Sequence, residues 1–272
     1  MTSLLDYLRH LRNRPTSMDE VCIVYETLTA MDRLSSVTSR PLMIDVGAQY
    51  GSSLQRFLNQ GWEVHAFEPD HDNRKKLIDR FNKSDLLTVS SKAVSDQMRG
   101  SVPFYRSTES TGISGLSSFH SSHTKDGTVE TIPLSQYTQE AGIDRVDFLK
   151  VDAEGHDLFV LKGFPWNKHR PKFVICEFEN PKTLEYGYDF YDLADYMRQK
   201  GYNIVVSEWY PIKEYGIKHN WNTYRQYPCD LKNSNAWGNL ICAKNKNIYR
   251  LLLRRLRIFL AKNLFTRFLN LV

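Results

Sequence analysis

The chain has 272 residues, of which 41% are hydrophobic, 12% aromatic and 25% charged. These proportions are those of an ordinary globular protein and exclude a chain that is disordered throughout. The length suits one large domain or one domain with extensions. No stretch has the roughly 18 uncharged apolar residues that a membrane-spanning helix needs, and the N-terminal residues lack the continuous apolar core of a secretory signal.

Four cysteines are spread along the chain and form no CxxC pair. This spacing argues against a structural zinc site and against a disulfide framework. A reducing, cytoplasmic compartment is therefore expected. The cysteines are Cys22, Cys176, Cys229 and Cys242.

The net charge of +5 is unevenly distributed. No acidic residue follows Asp230, whereas nine Lys and Arg residues do, and the rest of the chain is slightly acidic. Because the basic character belongs to one segment, it is weak evidence for nucleic-acid binding by the body of the protein. No nucleic-acid partner is expected.

Residues 1–40 have apolar positions at helical spacing and are interpreted as an N-terminal helical extension. From Pro41 onwards, short apolar segments alternate with amphipathic ones, which is typical of a parallel α/β sheet. Strands are predicted over 41–47, 62–69 and 86–95, and helices over 51–61 and 70–82.

The middle of the chain is less regular, with a strand predicted at Ser101–Arg106 and a long loop that ends near Gly127. Such a loop inside a domain is usually functional or mobile. Regular elements then resume as a strand before the acidic turn at 152–155, a helix over 157–164, a strand over 171–180, a helix and strand over 190–206, and a last strand over 239–244.

We place the main domain at 41–245 and a basic amphipathic helix at 246–272. Residues 205–237 are rich in Tyr and Trp, which suit stacking on sugar rings, and are interpreted as an acceptor-binding insertion, with core packing as the alternative for many of these rings. The C-terminal helix has the composition of an interfacial membrane helix. Packing on the sheet or on another subunit explains it equally well, and the oligomeric state is left open.

Ligands of open parallel sheets bind beyond the carboxyl ends of the strands. The first such turn runs from Asp45 to Gly51, and Gly47 there lets the backbone turn sharply and a ligand approach closely. The turn lacks the G-x-G-x-x-G spacing that binds pyrophosphate, and Asp45 would repel an anion but attract an ammonium group.

Glu68 ends the second strand 21 residues after Gly47, where an acidic residue accepts hydrogen bonds from both ribose hydroxyls. A purely structural glycine turn would not explain this placement. An adenosine that carries an amino acid in place of phosphates fits both features. The sequence therefore predicts S-adenosylmethionine as the cofactor.

Five segments, in this order along the chain, resemble the FkbM family of S-adenosylmethionine-dependent methyltransferases: IDVGAQYGSS, AFEP, AVSD, DFLKVDAEGHDLFVLKG and PKFVICEFE. The resemblance spans about residues 41–180. It implies a class I methyltransferase fold, which is a Rossmann-like, mostly parallel seven-stranded sheet with helices on both faces. It also implies O-methylation, usually of a hydroxyl on a sugar, glycan, glycolipid or polyketide-type natural product.

The matching motifs also imply which residues bind the cofactor. Asp45, Gly47 and Gly51 should surround its methionine part, and Glu68 its ribose. Ser95 and Asp96 should lie near the adenine.

Methyl transfer to a hydroxyl needs an aligned acceptor and a group that takes the proton. The candidates at the sheet edge are Asp152, Glu154, His156 and Glu177. His156 has an unperturbed pKa near neutrality, although it would have no chemical role if it faced solvent and Glu154 merely capped the next helix. The nearby carboxylates have no firm metal-ligand spacing, so no metal is predicted.

Lys150 alternates with Asp152 along the strand and can pair with a carboxylate there. Such a pair would be structural at least as readily as catalytic.

The leading hypothesis is methyl transfer to a carbohydrate or glycolipid hydroxyl, with peripheral contact at the inner face of a membrane through residues 248–272 if the tail binds lipid. One alternative is a catalytically silent relative that acts as a membrane-recruited binding protein. A nicotinamide-dependent oxidoreductase is a further alternative, which the missing G-x-G-x-x-G disfavours.

Overall fold

The computed structural model describes residues 18–32 and 40–269, with side chains for 18–31 and 40–261. The parts of the predicted N-terminal extension at 1–17 and 33–39 and the last residues of the C-terminal helix lie outside the described residues. The helices are α1 (Glu20–Asp32), α2 (Gln55–Asn59), α3 (His71–Arg80), α4 (Leu134–Glu140), α5 (Asp157–Lys162), α6 (Asn180–Thr183), α7 (Phe190–Gln199) and α8 (Lys246–Leu269). The strands are β1 (Leu42–Val46), β2 (Glu63–Phe67), β3 (Leu87–Ser90), β4 (Ala93–Val94), β5 (Arg99–Ser107), β6 (His123–Ile132), β7 (Phe148–Val151), β8 (Phe173–Glu179), β9 (Asn203–Trp209), β10 (Trp221–Gln226) and β11 (Trp237–Ala243).

The main sheet has the strand order β3-β2-β1-β7-β8-β11-β9-β10. The first five of these strands are parallel neighbours, while β11 runs antiparallel to β8 and β9. The predicted α/β class with a mostly parallel sheet is confirmed. The chain order of the strands reverses between β1 and β7, which is where open α/β sheets bind their ligands.

The sheet has eight strands among the described residues, one more than the seven predicted. The additional strand is β10, which pairs antiparallel with β9 at the sheet edge. It forms from part of the segment predicted to be an insertion, since Trp221, Thr223 and Tyr224 favour strands and Trp221 is buried.

A second, three-stranded sheet has the order β4-β6-β5. It corrects two predictions. Ala93 and Val94 do not continue β3 but pair with Thr131 and Ile132 of β6. The predicted long loop is also shorter, because β6 begins at His123 and pairs with β5. The polar residues around Gly127 hide this strand in the sequence.

Alternating side chains of the strands form a hydrophobic core on each face of the sheet. On one face, residues such as Ile44 and Leu149 pack with α4, α5 and α7. On the other, residues such as Met43 and Phe148 pack with α1 and α8. Helices therefore cover both faces, as predicted.

The helix α8 packs along α1 through Ile248, Leu252 and Leu256, which recur every four residues on one helix face. This stretch of the predicted C-terminal helix thus belongs to the core. No helix within 18–32 and 40–269 has the length and apolar character needed to cross a bilayer.

The turns after β1 and β7 touch each other. Gly47 has a φ of +74°, and a Cβ atom on it would lie 1.8 Å from the carbonyl oxygen of Asp152. Its N–H donates to the carbonyl oxygen of Phe67, 3.0 Å away, which ties the same turn to β2. Only glycine fits here, for both conformational and steric reasons.

We expect Gly47→Ala to destabilise the protein far more than Gly61→Ala. Both glycines have positive φ, but nothing lies within 4 Å of a Cβ atom on Gly61. The Gly61 variant should therefore show only the cost of the left-handed conformation, about 1–2 kcal/mol. Urea denaturation measures both values. An equal decrease in the free energy of unfolding in the two variants would contradict the contact between the turns.

Candidate active site

A cavity of about 480 Å³ lies at the carboxyl ends of β2, β1, β7 and β8. This volume is in the usual range for small-molecule sites. Its two ends differ in their lining residues. The β2 end contains Gly47, Glu68, Asn73, Phe104 and Ile113. The β8 end contains Glu154, Glu177, Lys182, Tyr215, His219 and Trp237.

Glu68 forms the polar centre of the β2 end. One of its carboxylate oxygens accepts a hydrogen bond from the backbone N–H of Gln49 (2.7 Å), and the other accepts one from Asp70 (2.9 Å). Burial raises the pKa of Glu68 to about 7. Because each oxygen has further lone pairs, the carboxylate can still accept hydrogen bonds from two ligand hydroxyls.

The glycine turn forms the wall beside Glu68. Gly47 and Gln49 line the cavity, and Gln49 has a φ of +49°, which is uncommon outside glycine. Gly51 does not line it. A Cβ atom on Gly51 would collide with Leu77 and Phe81, so this glycine allows α3 to pack against the turn rather than touching a ligand.

Asp45 and Lys150 form an ion pair at the cavity floor, where Lys150 lines the cavity and Asp45 lies behind it. They face each other on β1 and β7, and Lys150 Nζ lies 3.3 Å from both Asp45 and Asp152. Ser53 donates a further short hydrogen bond to Asp45. Asp45 is fully buried, is paired with Lys150 and does not line the cavity, and its predicted contact with a ligand ammonium stays a prediction.

The acidic turn after β7 carries Asp152 and Glu154 into the cavity wall. Glu154 has a φ of +51°, a conformation that costs roughly 1–3 kcal/mol and persists mainly at functional sites. Its carboxylate lies 2.6 Å from Lys182 Nζ. Burial raises the pKa of Glu154 to about 8, with Lys182 opposing the shift.

Lys182 is the centre of a buried charge cluster that the sequence analysis missed. It is 2% exposed, and its Nζ lies 2.6 Å from Glu154, 3.2 Å from Glu177 and 2.8 Å from Glu179. The rings of Phe119 and Tyr215 cover the ammonium group at 5.3 and 5.7 Å. A sequence signal existed, because Lys182 follows two strand-end glutamates within five residues.

Oxygen atoms of Asp152, Glu154 and Glu177 lie within 4.8 Å of one another, a spacing that a metal ion could use. Lys182 already neutralises part of this charge, so the cluster does not require a metal. The absence of a metal stays a prediction.

His156 lines the cavity but is poorly suited to accept a proton. Its ring stacks on Phe159 with centroids 4.6 Å apart, and burial lowers its pKa to about 4. Its Nε2 lies 2.9 Å from Ser95 Oγ. Neither Ser95 nor Asp96 lines the cavity, and their predicted nearness to adenine stays a prediction.

Asp157 is a second residue that the sequence analysis did not assign. It is fully buried and accepts hydrogen bonds from the backbone N–H groups of Ala153 and Glu177. It therefore fixes the acidic turn against β8. Burial raises the pKa of Asp157 to about 7.

Residues 45–204, more than half of the chain, match the family described as the methyltransferase FkbM domain. The chain belongs to the FkbM methyltransferase family. The match confirms the predicted family, the predicted class I fold and the predicted enzyme class, an S-adenosylmethionine-dependent methyltransferase.

One relative is the 2-O-methyltransferase NoeI of Sinorhizobium fredii (strain NBRC 101917 / NGR234). It is 24% identical to this FkbM methyltransferase over 161 residues, which are 53% of this chain and 66% of NoeI. The match therefore spans slightly less than two thirds of that relative.

Two similar solved structures contain S-adenosylhomocysteine (SAH). The N-terminal domain of human METTL16 has a TM-score of 0.41 and 15% identity, with 86% of this chain and 73% of that chain covered. Magnesium protoporphyrin IX methyltransferase (ChlM) from Synechocystis PCC 6803 has a TM-score of 0.40 and 10% identity, with 89% and 94% covered. TM-scores of this size support no conclusion about function.

The residues at the β2 end fit S-adenosylmethionine, the cofactor of this methyltransferase family. Glu68 presents a buried carboxylate for ribose hydroxyls, and the turn at Gly47 has no side chain to obstruct a ligand. This agrees with the predicted cofactor.

We expect SAH binding to tighten roughly tenfold between pH 6 and pH 8, because ionised Glu68, with its pKa of about 7, is the better acceptor for ribose hydroxyls. Isothermal titration calorimetry at several pH values measures this change. Glu68→Gln should bind weakly and lose most of the dependence. An unchanged pH dependence in this variant would exclude Glu68 as its origin.

Proposed function

We propose that this FkbM methyltransferase transfers a methyl group to a hydroxyl of a sugar, glycan or glycolipid. The observation that carries the proposal is one continuous cavity, in which Glu68 and Gly47 lie at one end and Glu154 and Glu177 at the other. A cofactor held at the β2 end would direct its reactive group towards carboxylates that can accept a proton.

Different residues of the chain would bind different parts of the cofactor. Glu68 would accept hydrogen bonds from the ribose hydroxyls, and the turn from Gly47 to Gln49 would hold the methionine part. Bound S-adenosylmethionine supplies a methyl group already activated on a sulfonium. The protein therefore has to align the acceptor oxygen and remove its proton.

Glu154 is the proton acceptor in this proposal. Its raised pKa, near 8, matches the task, because a base works best when its pKa is close to the working pH. Lys182 at 2.6 Å can stabilise its charged form. Asp152 is more exposed and is paired with Lys150, which suits a role in positioning.

The β8 end suits a carbohydrate acceptor. Tyr215, His219 and Trp237 offer ring faces, and the neighbouring carboxylates offer hydrogen-bond acceptors for hydroxyl groups. The relative NoeI is named a 2-O-methyltransferase, which agrees with transfer to oxygen.

The test uses radiolabelled S-adenosylmethionine and a cell glycan extract. Wild-type protein should transfer label to a glycan. Glu154→Gln should lower the transfer rate by about 10²–10⁴-fold, the usual contribution of a general base, while SAH affinity changes less than threefold.

The matched control is Glu185→Gln, which removes the same charge from an exposed position and should leave the rate unchanged. A Glu154→Gln variant with more than a tenth of wild-type activity would exclude Glu154 as the base. No labelled glycan from wild-type protein that binds SAH would contradict the carbohydrate acceptor.

We also propose that α8 contacts an anionic membrane surface. Its buried face is occupied by the core, and its opposite face exposes Lys246, Arg250, Arg254 and Arg257. None of these four forms an ion pair with a residue in the described part of the chain. An uncompensated basic stripe of this kind is attracted to anionic lipid.

The protein should therefore co-sediment with phosphatidylcholine vesicles that contain phosphatidylglycerol, but not with phosphatidylcholine alone. Each arginine near the surface contributes about 1 kcal/mol, so changing Arg250, Arg254 and Arg257 to Gln should weaken binding roughly a hundredfold. Changing the exposed Lys83, Lys125 and Lys168 to Gln removes equal charge elsewhere. Equal losses in both triple variants would refute a specific role for α8.

A further inference from the structure

The β8 end of the cavity is rich in acids, and among the described residues that line it none is a cation free to bind a ligand. Its lining includes Asp152, Glu154 and Glu177. Glu179 does not line the cavity but forms an ion pair with the lining residue Lys182. A single free cation beside these acids would suffice to bind an anionic substituent.

Lys182 lines the cavity but its ammonium group is fully engaged. It faces three carboxylates, at 2.6, 3.2 and 2.8 Å, and the rings of Phe119 and Tyr215 lie over it. Tyr215 is held in this place because its hydroxyl donates to Glu179 at 2.9 Å. With 2% of its surface exposed, Lys182 has no room for a ligand anion.

The other lining lysines are engaged as well. Lys150 lies 3.3 Å from each of Asp45 and Asp152 and donates to the carbonyl oxygen of Gly47. Lys92 pairs with Glu130 and follows β3, on the opposite side of the cavity from β8.

Burial favours the neutral form of both described histidines that line the cavity. Burial lowers the pKa of His156 to about 4 and also lowers that of His219. Proton uptake by Glu154 would reduce the negative charge but would create no cation, because a protonated carboxyl group is neutral.

The two lysines on the segment that carries Tyr215 are not part of the cavity wall. Lys213 and Lys218 are exposed and are not among the lining residues.

We infer that the acceptor entering the β8 end is an uncharged or cationic polyol, such as a neutral or amino sugar, and that acceptors with a carboxylate, phosphate or sulfate near the reacting hydroxyl are excluded. This rests on the proposed function, because it assumes that the acceptor binds at this end. An anion placed there would face several carboxylates without a compensating cation, and like charges in contact are strongly unfavourable. Hydroxyl and ammonium groups, by contrast, would donate hydrogen bonds to the same carboxylates.

The test measures binding to the SAH-loaded protein, so it needs no turnover. Three probes share one ring: methyl glucoside, methyl glucosaminide with its amine protonated, and methyl glucuronide. Dissociation constants come from ligand-observed NMR titration. We expect the glucoside and the glucosaminide to bind, and the glucuronide to bind at least about tenfold more weakly than either.

A second measurement uses Glu177→Gln, which replaces one carboxyl group of the β8 end by a permanently neutral amide, with Glu185→Gln as the control at an exposed position. The ratio of the glucuronide dissociation constant to the glucosaminide dissociation constant should fall at least threefold in Glu177→Gln and stay unchanged in Glu185→Gln. The wild-type titrations decide the question even if the Glu177 variant does not fold.

Glucuronide binding as tight as that of the glucosaminide would overturn the inference. Failure of all three probes to bind would also overturn it, while retained SAH binding in the same samples would leave the methyltransferase assignment standing. Loss of SAH binding itself would instead contradict the cofactor site.

Discussion

Two buried lysines make the acidic edge of this sheet physically possible. Removing a charge from water costs several kcal/mol, and a buried ion needs partners at close range. Lys150 is the ion-pair partner of Asp45 in β1 and of Asp152 after β7. Lys182 is the ion-pair partner of Glu154 after β7 and of Glu177 in β8. The carboxylates can gather around one cavity only because an ammonium group lies between them. Loss of either lysine would leave several acids buried together without compensation.

The same arrangement keeps the site rigid. Gln49 and Glu154 are the two non-glycine residues with positive φ in the described part of the chain, and both line the cavity. Strained backbone of this kind persists when surrounding contacts determine it fully. The Gly47–Asp152 contact and the hydrogen bonds of Asp157 provide such contacts, so the reactive side chains are held on a scaffold that does not have to rearrange.

The fold and the location of the site were largely predictable from the sequence because they depend on local patterns. Apolar runs ending in acids or glycine mark parallel strands, and the carboxyl ends of such strands meet at one edge. Glu68 and Glu154 could be placed at that edge from spacing alone. The burial of Asp45 could not be predicted, because its partner Lys150 comes from β7, more than 100 residues later.

Contacts between distant segments account for the features that the sequence analysis missed. Lys182 follows β8 in a short helix, and its surroundings come from three different parts of the chain, including Phe119 and Tyr215. The strand β10 was missed because its residues show no clear alternation of apolar and polar side chains. It pairs with the edge strand β9. The depressed pKa of His156 likewise comes from burial beside Phe159 and Ser95, which no motif reveals.

The packing of α1 against α8 affects the order in which the protein folds during synthesis. These helices are separated by more than 200 residues, yet together they cover one face of the sheet. While the ribosome is still synthesising the intervening chain, that face stays open and its apolar side chains face water. A nascent chain halted before α8 would thus expose an apolar surface that chaperones can bind. Burial of this face is complete only after residues 246–261 have emerged from the ribosome.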